Sequence, residues 1–367
     1  MRADVDDRYF LEERYRETDG GRSLPLSAYY ALKPLLPRRL QIALRRRYAK
    51  RQMQVEFPRW PIEPLLVERR QEELRAELRR RDGAPLPTIA SWPEGRRFTA
   101  ILTHDVEGPA GVANVPEVIE LERRHGFVSS WNFVAEWYPI EPGLLDHVRA
   151  AGCEVGLHAI KHDCKLFESR ARFEAELPAI HRYLAEWEAD GFRSPATHRN
   201  PDWMPELGAA YDTSFPDTDP FEPQSGGCCS ILPFFLGEMV ELPITLVQDH
   251  TMWEILRQDT IELWTGKSDW LIANGGLINP IVHPDYLDTP ARLRMYEEFL
   301  EYLAAQSDGW HALPREVAAW WRTRAGLRCI EDGDGARIVG EGAERARVAW
   351  ARLDGDEVVL EPEGVAA

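Results

Sequence analysis

The stretch FTAILTHDVEG (98–108) combines a short apolar run with acidic residues at its end. A run of this length bounded by polar residues is typical of a buried strand. The segment that follows, VPEVIELERRHG (115–126), has the composition of a helix that ends at a glycine. Together they predict one strand–helix unit whose polar residues sit where the strand ends.

The same alternation continues on the C-terminal side of this unit. Strand-like SSWNFVAEWY (129–138) precedes helix-like PGLLDHVRAAG (142–152), and CEVGLHAI (153–160) precedes a long helix-like stretch to residue 191. Further apolar runs lie at residues 211–215, 239–246 and 276–283. Alternating strands and helices favour parallel strands with crossover helices. Seven or so units predict an α/β barrel with its ligands at the C-terminal ends of the strands.

The sequence divides into three zones of different composition. Residues 1–95 are polar, proline-punctuated and predicted to be a mostly helical extension that wraps the barrel. Residues 96–326 form the barrel, and residues 327–367 are predicted to be a small β appendage with a hairpin turn at Asp354-Gly355-Asp356.

Charge and composition exclude some partners and locations. The formal net charge of −17 argues against nucleic acid, which requires a basic face. The five cysteines are odd in number and scattered, which favours a reducing compartment. The first residues lack the apolar core of a signal peptide. No apolar run reaches membrane-spanning length. We therefore predict a cytoplasmic protein.

One basic segment stands out against this acidic background. RRLQIALRRRYAKR (Arg38–Arg51) interleaves cations with apolar residues. It could lie on an anionic membrane surface, or form a solvated helix face that pairs with acidic residues elsewhere in the chain. The first alternative makes the protein membrane-associated.

The polar residues at the strand ends include carboxylates and histidines. Asp105 and Glu107 are two positions apart, so in an extended segment they point to the same side and can divide cation binding from proton transfer. His158 and His162 follow another strand-like run, and His283 ends a third. Two histidines and one carboxylate are a known catalytic zinc ligand set with an open position.

Other residues are weaker candidates for the same cleft. Arg193 and Arg199 lie in a proline-rich loop and could hold a carboxylate ionised, and Asp249 and His250 could line the rim. Two acids and three tryptophans complete the set: Asp217 and Asp219, which could orient His283, and Trp131, Trp137 and Trp203, which could stack on a sugar ring.

Five of these motifs, in this order, resemble those of the NodB-homology polysaccharide deacetylases. They are THDVEG (103–108), His158-x3-His162, Arg193-Ser-Pro195, the segment at Tyr211–Ser214, and the IVHP that contains His283. Arg199-Asn-Pro201 is the rival for the third motif. The resemblance covers roughly residues 97–325.

The resemblance implies a distorted (β/α) barrel and a role for each matched residue. Asp105 is then the catalytic base, His283 the general acid, and Arg193 the residue that orients the base. Glu107, His158 and His162 are the ligands of one divalent ion, for which zinc is expected. The sequence has Asp-Val-Glu where the family has two adjacent aspartates, which leaves Asp105 as a rival ligand.

The function predicted on this basis is metal-dependent removal of an acetyl group from an N-acetylated saccharide or glycan. Two alternatives remain open: hydrolysis of a non-sugar C–N bond by the same residues, and a non-catalytic glycan-binding barrel.

Overall fold

The computed structural model describes residues 5–19, 37–333 and 335–363. Predictions for residues 1–4, 20–36 and 364–367, and for the side chains of residues 38 and 39, lie outside the described part. The helices are α1 (Arg8–Leu11), α2 (Arg38–Gln52), α3 (Leu65–Arg80), α4 (Pro109–Arg124), α5 (Pro142–Ala150), α6 (Arg170–Glu186), α7 (Glu262–Ala273), α8 (Pro290–Ala304) and α9 (Pro314–Gly326).

The strands are short, and most belong to the barrel. They are β1 (Leu86–Ile89), β2 (Phe98–Ala100), β3 (Thr103–Val106), β4 (Ser130–Phe133), β5 (Glu154–Leu157), β6 (Gly191–Phe192), β7 (Tyr211–Asp212), β8 (Phe234–Leu236), β9 (Met239–Glu241), β10 (Leu277–Ile278), β11 (Ile281–Val282), β12 (Gly309–His311), β13 (Arg328–Asp332), β14 (Gly335–Val339), β15 (Val348–Asp354) and β16 (Glu357–Pro362).

A curled sheet of eight strands forms most of the barrel wall, in the order β11-β3-β4-β5-β6-β7-β9-β8. All neighbours are parallel except the β8–β9 hairpin. A smaller parallel sheet, β10-β2-β12, continues it, because β2 runs into β3 and β10 into β11 after two-residue breaks. Parallel strands lie at β2/β3, β4, β5, β6, β7, β9 and β10/β11, and β12 adds a parallel strand beside β2, so the predicted barrel of about seven strands is confirmed.

The barrel closes irregularly at Asn279, which is buried between β10 and β11. Its side-chain amide donates to the carbonyls of Leu242 and Pro243 at 3.3 and 3.0 Å. The backbone carbonyl of Asn279 accepts from the backbone N–H of Thr245 at 3.1 Å. These hydrogen bonds of Asn279 thus replace part of a strand ladder, and they satisfy backbone groups that would be costly to bury unpaired.

Two crossover helices begin at residues that the sequence marks as caps. The hydroxyls of Ser169 and Thr289 accept the N–H groups of Arg172 and Arg292, each at 3.3 Å, at the starts of α6 and α8. Such caps satisfy N–H groups that have no partner within the helix.

The segments before and after the barrel meet in one sheet. β1 pairs with β15, and β15 with β16, all antiparallel. The predicted appendage strands therefore exist, and β1, from the predicted N-terminal extension, completes their sheet. The boundaries of the three zones remain predictions.

The basic helix α2 lies against the barrel by one face. Ala49 is buried next to Phe221 and Ile255, and Arg46 Nε donates to the carbonyl of Glu254 at 2.8 Å. Arg45 lies 3.8 Å from a carboxylate oxygen of Glu222. Within the described ranges, no helix has the length and apolar character needed to cross a bilayer.

Candidate active site

Asp105 lies inside β3 and is held by side chains from two other strands. Its Oδ1 accepts from the amide of Asn132 in β4 at 3.0 Å, and its Oδ2 lies 3.1 Å from Nη1 of Arg193, which follows β6. Burial opposes ionisation of this carboxyl, but the charges of Arg193, His158 and His283 and the Asn132 hydrogen bond together outweigh it and hold the pKa below its ordinary value. Asp105 is therefore a buried carboxylate whose charge is compensated by an arginine.

Arg193, which follows β6, is wholly buried and bonded through three of its nitrogens. Besides Asp105, it donates to the hydroxyl of Thr213 at 2.5 Å and to that of Thr103 at 2.9 Å. A buried charge requires partners on every side. These contacts fix the guanidinium as a rigid support for Asp105.

The segment after β7 supports the Arg193 loop in turn. Asp212 accepts both the N–H and the hydroxyl of Ser214, and the Ser214 hydroxyl accepts the N–H of Ser194 at 2.8 Å. Burial raises the pKa of Asp212 and, together with the negative charge of Asp212, raises that of Glu241. The aspartate segment is thus bonded to the loop that carries Arg193.

Glu107, His158 and His162 converge just beyond the ends of β3 and β5. One potential ligand atom from each lies within 4.8 Å of the others. Glu107 Oε1 is 2.9 Å from His162 Nε2, whereas Asp105 Oδ2 is 4.0 Å from His158 Nε2. The cluster contains Glu107, not Asp105, as its carboxylate.

Both histidines turn their Nε2 atoms toward this cluster. His158 Nδ1 donates to the carbonyl of Arg193 at 3.0 Å, which leaves Nε2 as the acceptor nitrogen. Within the described residues, Nε2 of His158 is buried without a hydrogen-bond partner, whereas Nε2 of His162 faces Glu107 Oε1 at 2.9 Å. Burial lowers the pKa of His158 to about 4, so its ring is neutral. An unpaired buried nitrogen beside a second imidazole and a carboxylate fits a divalent ion of the zinc type.

His283, which follows β11, faces the cluster from the other side. Its Nδ1 lies 2.6 Å from Asp249 Oδ1, and its backbone N–H donates to Asp249 Oδ2 at 2.7 Å. Its Nε2 is 3.4 Å from Glu107 Oε1. Burial opposes protonation of the ring, but Asp249 and Glu107 outweigh it and raise its pKa well above the ordinary value. His283 is thus a protonated imidazole aimed at the cluster.

Asp285 positions the Glu107 loop, a role that sequence reasoning did not find. Its two oxygens accept the N–H groups of Glu107 and Gly111, each at 3.0 Å. A Cβ on Gly111 would lie 2.0 Å from Asp285 Oδ2, so this close approach requires glycine. The one available signal was the position of Asp285 two residues after a candidate catalytic histidine.

Solved structures share this arrangement of strands and helices. A Mycobacterium smegmatis protein assigned as a polysaccharide deacetylase superposes with a TM-score of 0.52 and 19% identity, over 65% of this chain and 94% of that chain. A Pseudomonas aeruginosa PAO1 protein with the same assignment gives 0.52 and 17%, over 64% and 94%. The chain has the polysaccharide-deacetylase fold. The PuuE allantoinase matches as well, with a TM-score of 0.52 and 16% identity, over 65% and 94%. No protein-family model and no curated protein matches the sequence.

On this fold, the two rival arginine motifs of the sequence lie in different places. Asp105, Glu107 and the histidines lie at the C-terminal ends of the strands, and Arg193 is the arginine that meets Asp105. The rival Arg199 donates instead to Glu13 and to the carbonyls of Thr197 and Gln224. We assign Arg199 to holding the N-terminal segment on the barrel.

The remaining candidates take separate places. Asp217 pairs with Lys267 at 2.7 Å, so Asp249, not Asp217, orients His283. The ring of His250 lies beside that of Tyr286, with the ring centroids 5.0 Å apart. The backbone N–H of His250 donates to Asp249 Oδ1.

The three tryptophans also differ in exposure. Trp131 is fully buried, and Trp203 packs on Phe173. Trp137 is 51% exposed, on a loop whose neighbours Ala135 and Glu136 donate to the carbonyls of Ala159 and Ile160. Of the three tryptophans, Trp137 is therefore the exposed one, on a loop bonded to the His158–His162 loop.

Proposed function

We propose that this protein is a metal-dependent hydrolase that removes the acetyl group from an N-acetylated saccharide. The observation that carries the proposal is the cluster of Glu107, His158 and His162, in which the buried Nε2 of His158 has no hydrogen-bond partner within the described residues. On either side of it lie a carboxylate and an imidazole held by buried partners of opposite charge.

The three clustered residues are the proposed ligands of one divalent ion, with zinc favoured by the two imidazoles. When bound, such an ion polarises a carbonyl and acidifies water. The Asp-Val-Glu spacing fits this assignment, since Asp105 faces Arg193 while Glu107 reaches both His162 and His283.

The chain's own residues then divide the proton transfers. Asp105, kept ionised by Arg193, takes a proton from the water that attacks the amide carbon. His283, kept protonated by Asp249, gives a proton from Nε2 to the departing nitrogen as the C–N bond breaks. The products are acetate and the free amine of the sugar.

The test combines metal content with acetate release from N-acetylated oligosaccharides. We expect the purified protein to bind about one zinc equivalent per chain. His158→Ala should lose the metal and the activity, and Asp105→Asn should keep the metal and lose the activity. His147→Ala, on an exposed position of α5, is the matched control. Glycan binding that persists in His158→Ala, without acetate release by the native protein, would indicate a non-catalytic barrel instead.

A second candidate function is hydrolysis of a non-sugar C–N bond. The observation that favours it is the likeness to PuuE allantoinase, which equals the likeness to the two deacetylase-assigned structures in TM-score. Allantoin and linear amides should therefore be assayed beside acetylated sugars. Turnover of a cyclic amide without turnover of any acetylated sugar would favour this function.

We also propose that α2 contacts an anionic membrane surface near the catalytic cleft. Leu40, Leu44 and Tyr48, at intervals of four, are 46%, 41% and 45% exposed and lie on one face. Arg47 and Arg51 are exposed among them. The opposite face lies on the barrel through Ala49, beside loops that carry Glu222 and Glu254. Basic helices with exposed apolar residues bind anionic interfaces.

A further inference from the structure

A cavity of about 780 Å³ lies at the end of the barrel opposite the candidate active site. Its wall includes Arg97, which precedes β2, and Gly275, which lies before β10. The clustered ligands and His283 follow the other ends of the barrel strands. The cavity is therefore a separate site, and its volume is within the range of pockets for small molecules.

Three parts of the chain build the cavity. One face of α3 supplies Leu66, Val67 and Leu74, and the β1–β15–β16 sheet supplies Ile89 and Val359. Apolar side chains from the barrel, Ile231, Leu232 and Ile272, complete the wall. Such a lining favours an apolar ligand, since burial of aliphatic surface contributes about 25 cal/mol per Å².

Arg70 is the charged side chain on the α3 face of this lining. It lies between Val67 and Leu74 and is partly buried, whereas the other lining arginines, Arg96 and Arg97, are exposed. Within the described residues the Arg70 guanidinium has no hydrogen bond or ion pair, and burial lowers its pKa. A partly buried arginine without a counter-ion can form charge-assisted hydrogen bonds with a bound anion.

A second arginine adds positive charge behind this wall. Arg324 donates to the carbonyls of Ile89 and Ala90 at 2.9 and 3.0 Å, and both residues line the cavity. Burial, with repulsion from Arg70, lowers the pKa of Arg324 to about 10. Two acids, Glu94 and Asp308, line the cavity at exposed positions. Glu94 lies 3.7 Å from Arg345, and Asp308 Oδ1 accepts the hydroxyl of Ser307 at 3.1 Å.

We propose that this cavity binds an amphipathic anion, an alkyl chain that ends in a carboxylate or a phosphate, with the anionic head on Arg70 and the chain along Leu74 and Val359. The proposal is independent of the hydrolase function, because it uses no residue of the candidate active site. Arg70 is the partly buried lining arginine without a protein partner within the described residues, and apolar side chains of α3 flank it.

The test measures binding by calorimetry for dodecanoate, dodecyl phosphate and uncharged dodecanol, each below its micelle concentration. We expect the two anions to bind one site per chain, and dodecanol to bind at least about tenfold more weakly, the ratio expected from one charge-assisted hydrogen bond. The stronger of the two anions identifies the head group.

Variants on α3 separate this site from non-specific uptake. Arg70→Gln should weaken anion binding by about tenfold or more, and Arg70→Lys should restore part of it. Leu74→Trp should block binding by filling the cavity. Arg79→Gln is the matched control, since Arg79 is on the same helix, 61% exposed and paired with Asp356. Thermal unfolding without ligand verifies that each variant is folded. No anion binding to the native protein, or equal binding to native protein and Arg70→Gln, would overturn the proposal.

Discussion

Glu154 makes the stability of the barrel depend on pH, and the size of the effect follows from its surroundings. It starts β5, at the far end from the candidate metal site, and is 4% exposed. Its Oε1 accepts the hydroxyl of Tyr211, while Oε2 is buried and lies 3.6 Å from Nε of the half-exposed Arg315. Burial, partly offset by these contacts, raises the pKa of Glu154 from 4.5 to about 7.

The sign follows from proton linkage. The folded protein binds this proton more tightly than the unfolded chain, so the contribution to stability is complete below pH 4.5 and is lost as pH rises to about 7. A shift of this size corresponds to about 3 kcal/mol over the whole range, at about 1.4 kcal/mol per pKa unit. Between pH 5.5 and 8.5 the expected loss is about 2 kcal/mol.

Glu154→Gln removes this pH-dependent contribution to stability and keeps a hydrogen-bond acceptor for the Tyr211 hydroxyl. The free energy of unfolding is measured by urea titration with tryptophan fluorescence at pH 5.5 and pH 8.5. We expect the decrease between these two pH values to be about 2 kcal/mol smaller for the variant than for the native protein. Glu117→Gln, at an exposed position of α4, is the control and should follow the native protein. Parallel pH profiles for native protein and Glu154→Gln would refute this account of Glu154.

Three further predictions concern the candidate site and its surroundings. Asp249→Asn should lower kcat by about a hundredfold or more with zinc content unchanged, because it removes the charge that orients and protonates His283; unchanged kcat would contradict that role. Trp137→Ala should raise KM for an acetylated oligosaccharide several-fold with little change in kcat, and an unchanged KM would remove Trp137 from the binding surface. Leu40→Asp with Leu44→Asp should abolish co-sedimentation with anionic vesicles while leaving turnover of a water-soluble substrate intact, whereas equal sedimentation of variant and native protein would exclude α2 as the membrane contact.

The sequence was sufficient to predict parallel strands and polar residues at the strand ends. Successive apolar runs predicted parallel strands, and parallel strands bring their C-terminal ends to one edge. For that reason the polar residues after β3, β5 and β11 could be expected to converge before any distance was known. The family resemblance suggested Glu107 as the carboxylate beside His158 and His162, with Asp105 as the rival, and the structure groups Glu107 with them.

Only the tertiary structure showed which of two similar residues contacts a given partner. Arg193 and Arg199 occupy equivalent-looking R-x-P motifs six positions apart, yet one meets Asp105 and the other meets Glu13. The sequence contains no distance between residue 13 and residue 199, so local patterns could not separate them. The sequence offered Asp217 as a partner of His283 and Asp249 as a rim residue, but Asp217 pairs with Lys267 and Asp249 pairs with His283.

By itself, the sequence determined that a strand beginning at FTAIL ends in two carboxylates on one side, because side chains alternate along an extended backbone. Only the tertiary structure decided which carboxylate lies with the two histidines and which pairs with an arginine. Arg193 reaches Asp105 from β6, and Asp285 holds the N–H of Glu107 from beyond β11, so that Glu107 faces the histidines. These contacts join residues 88 and 178 positions apart, and such long-range contacts form only when the barrel closes.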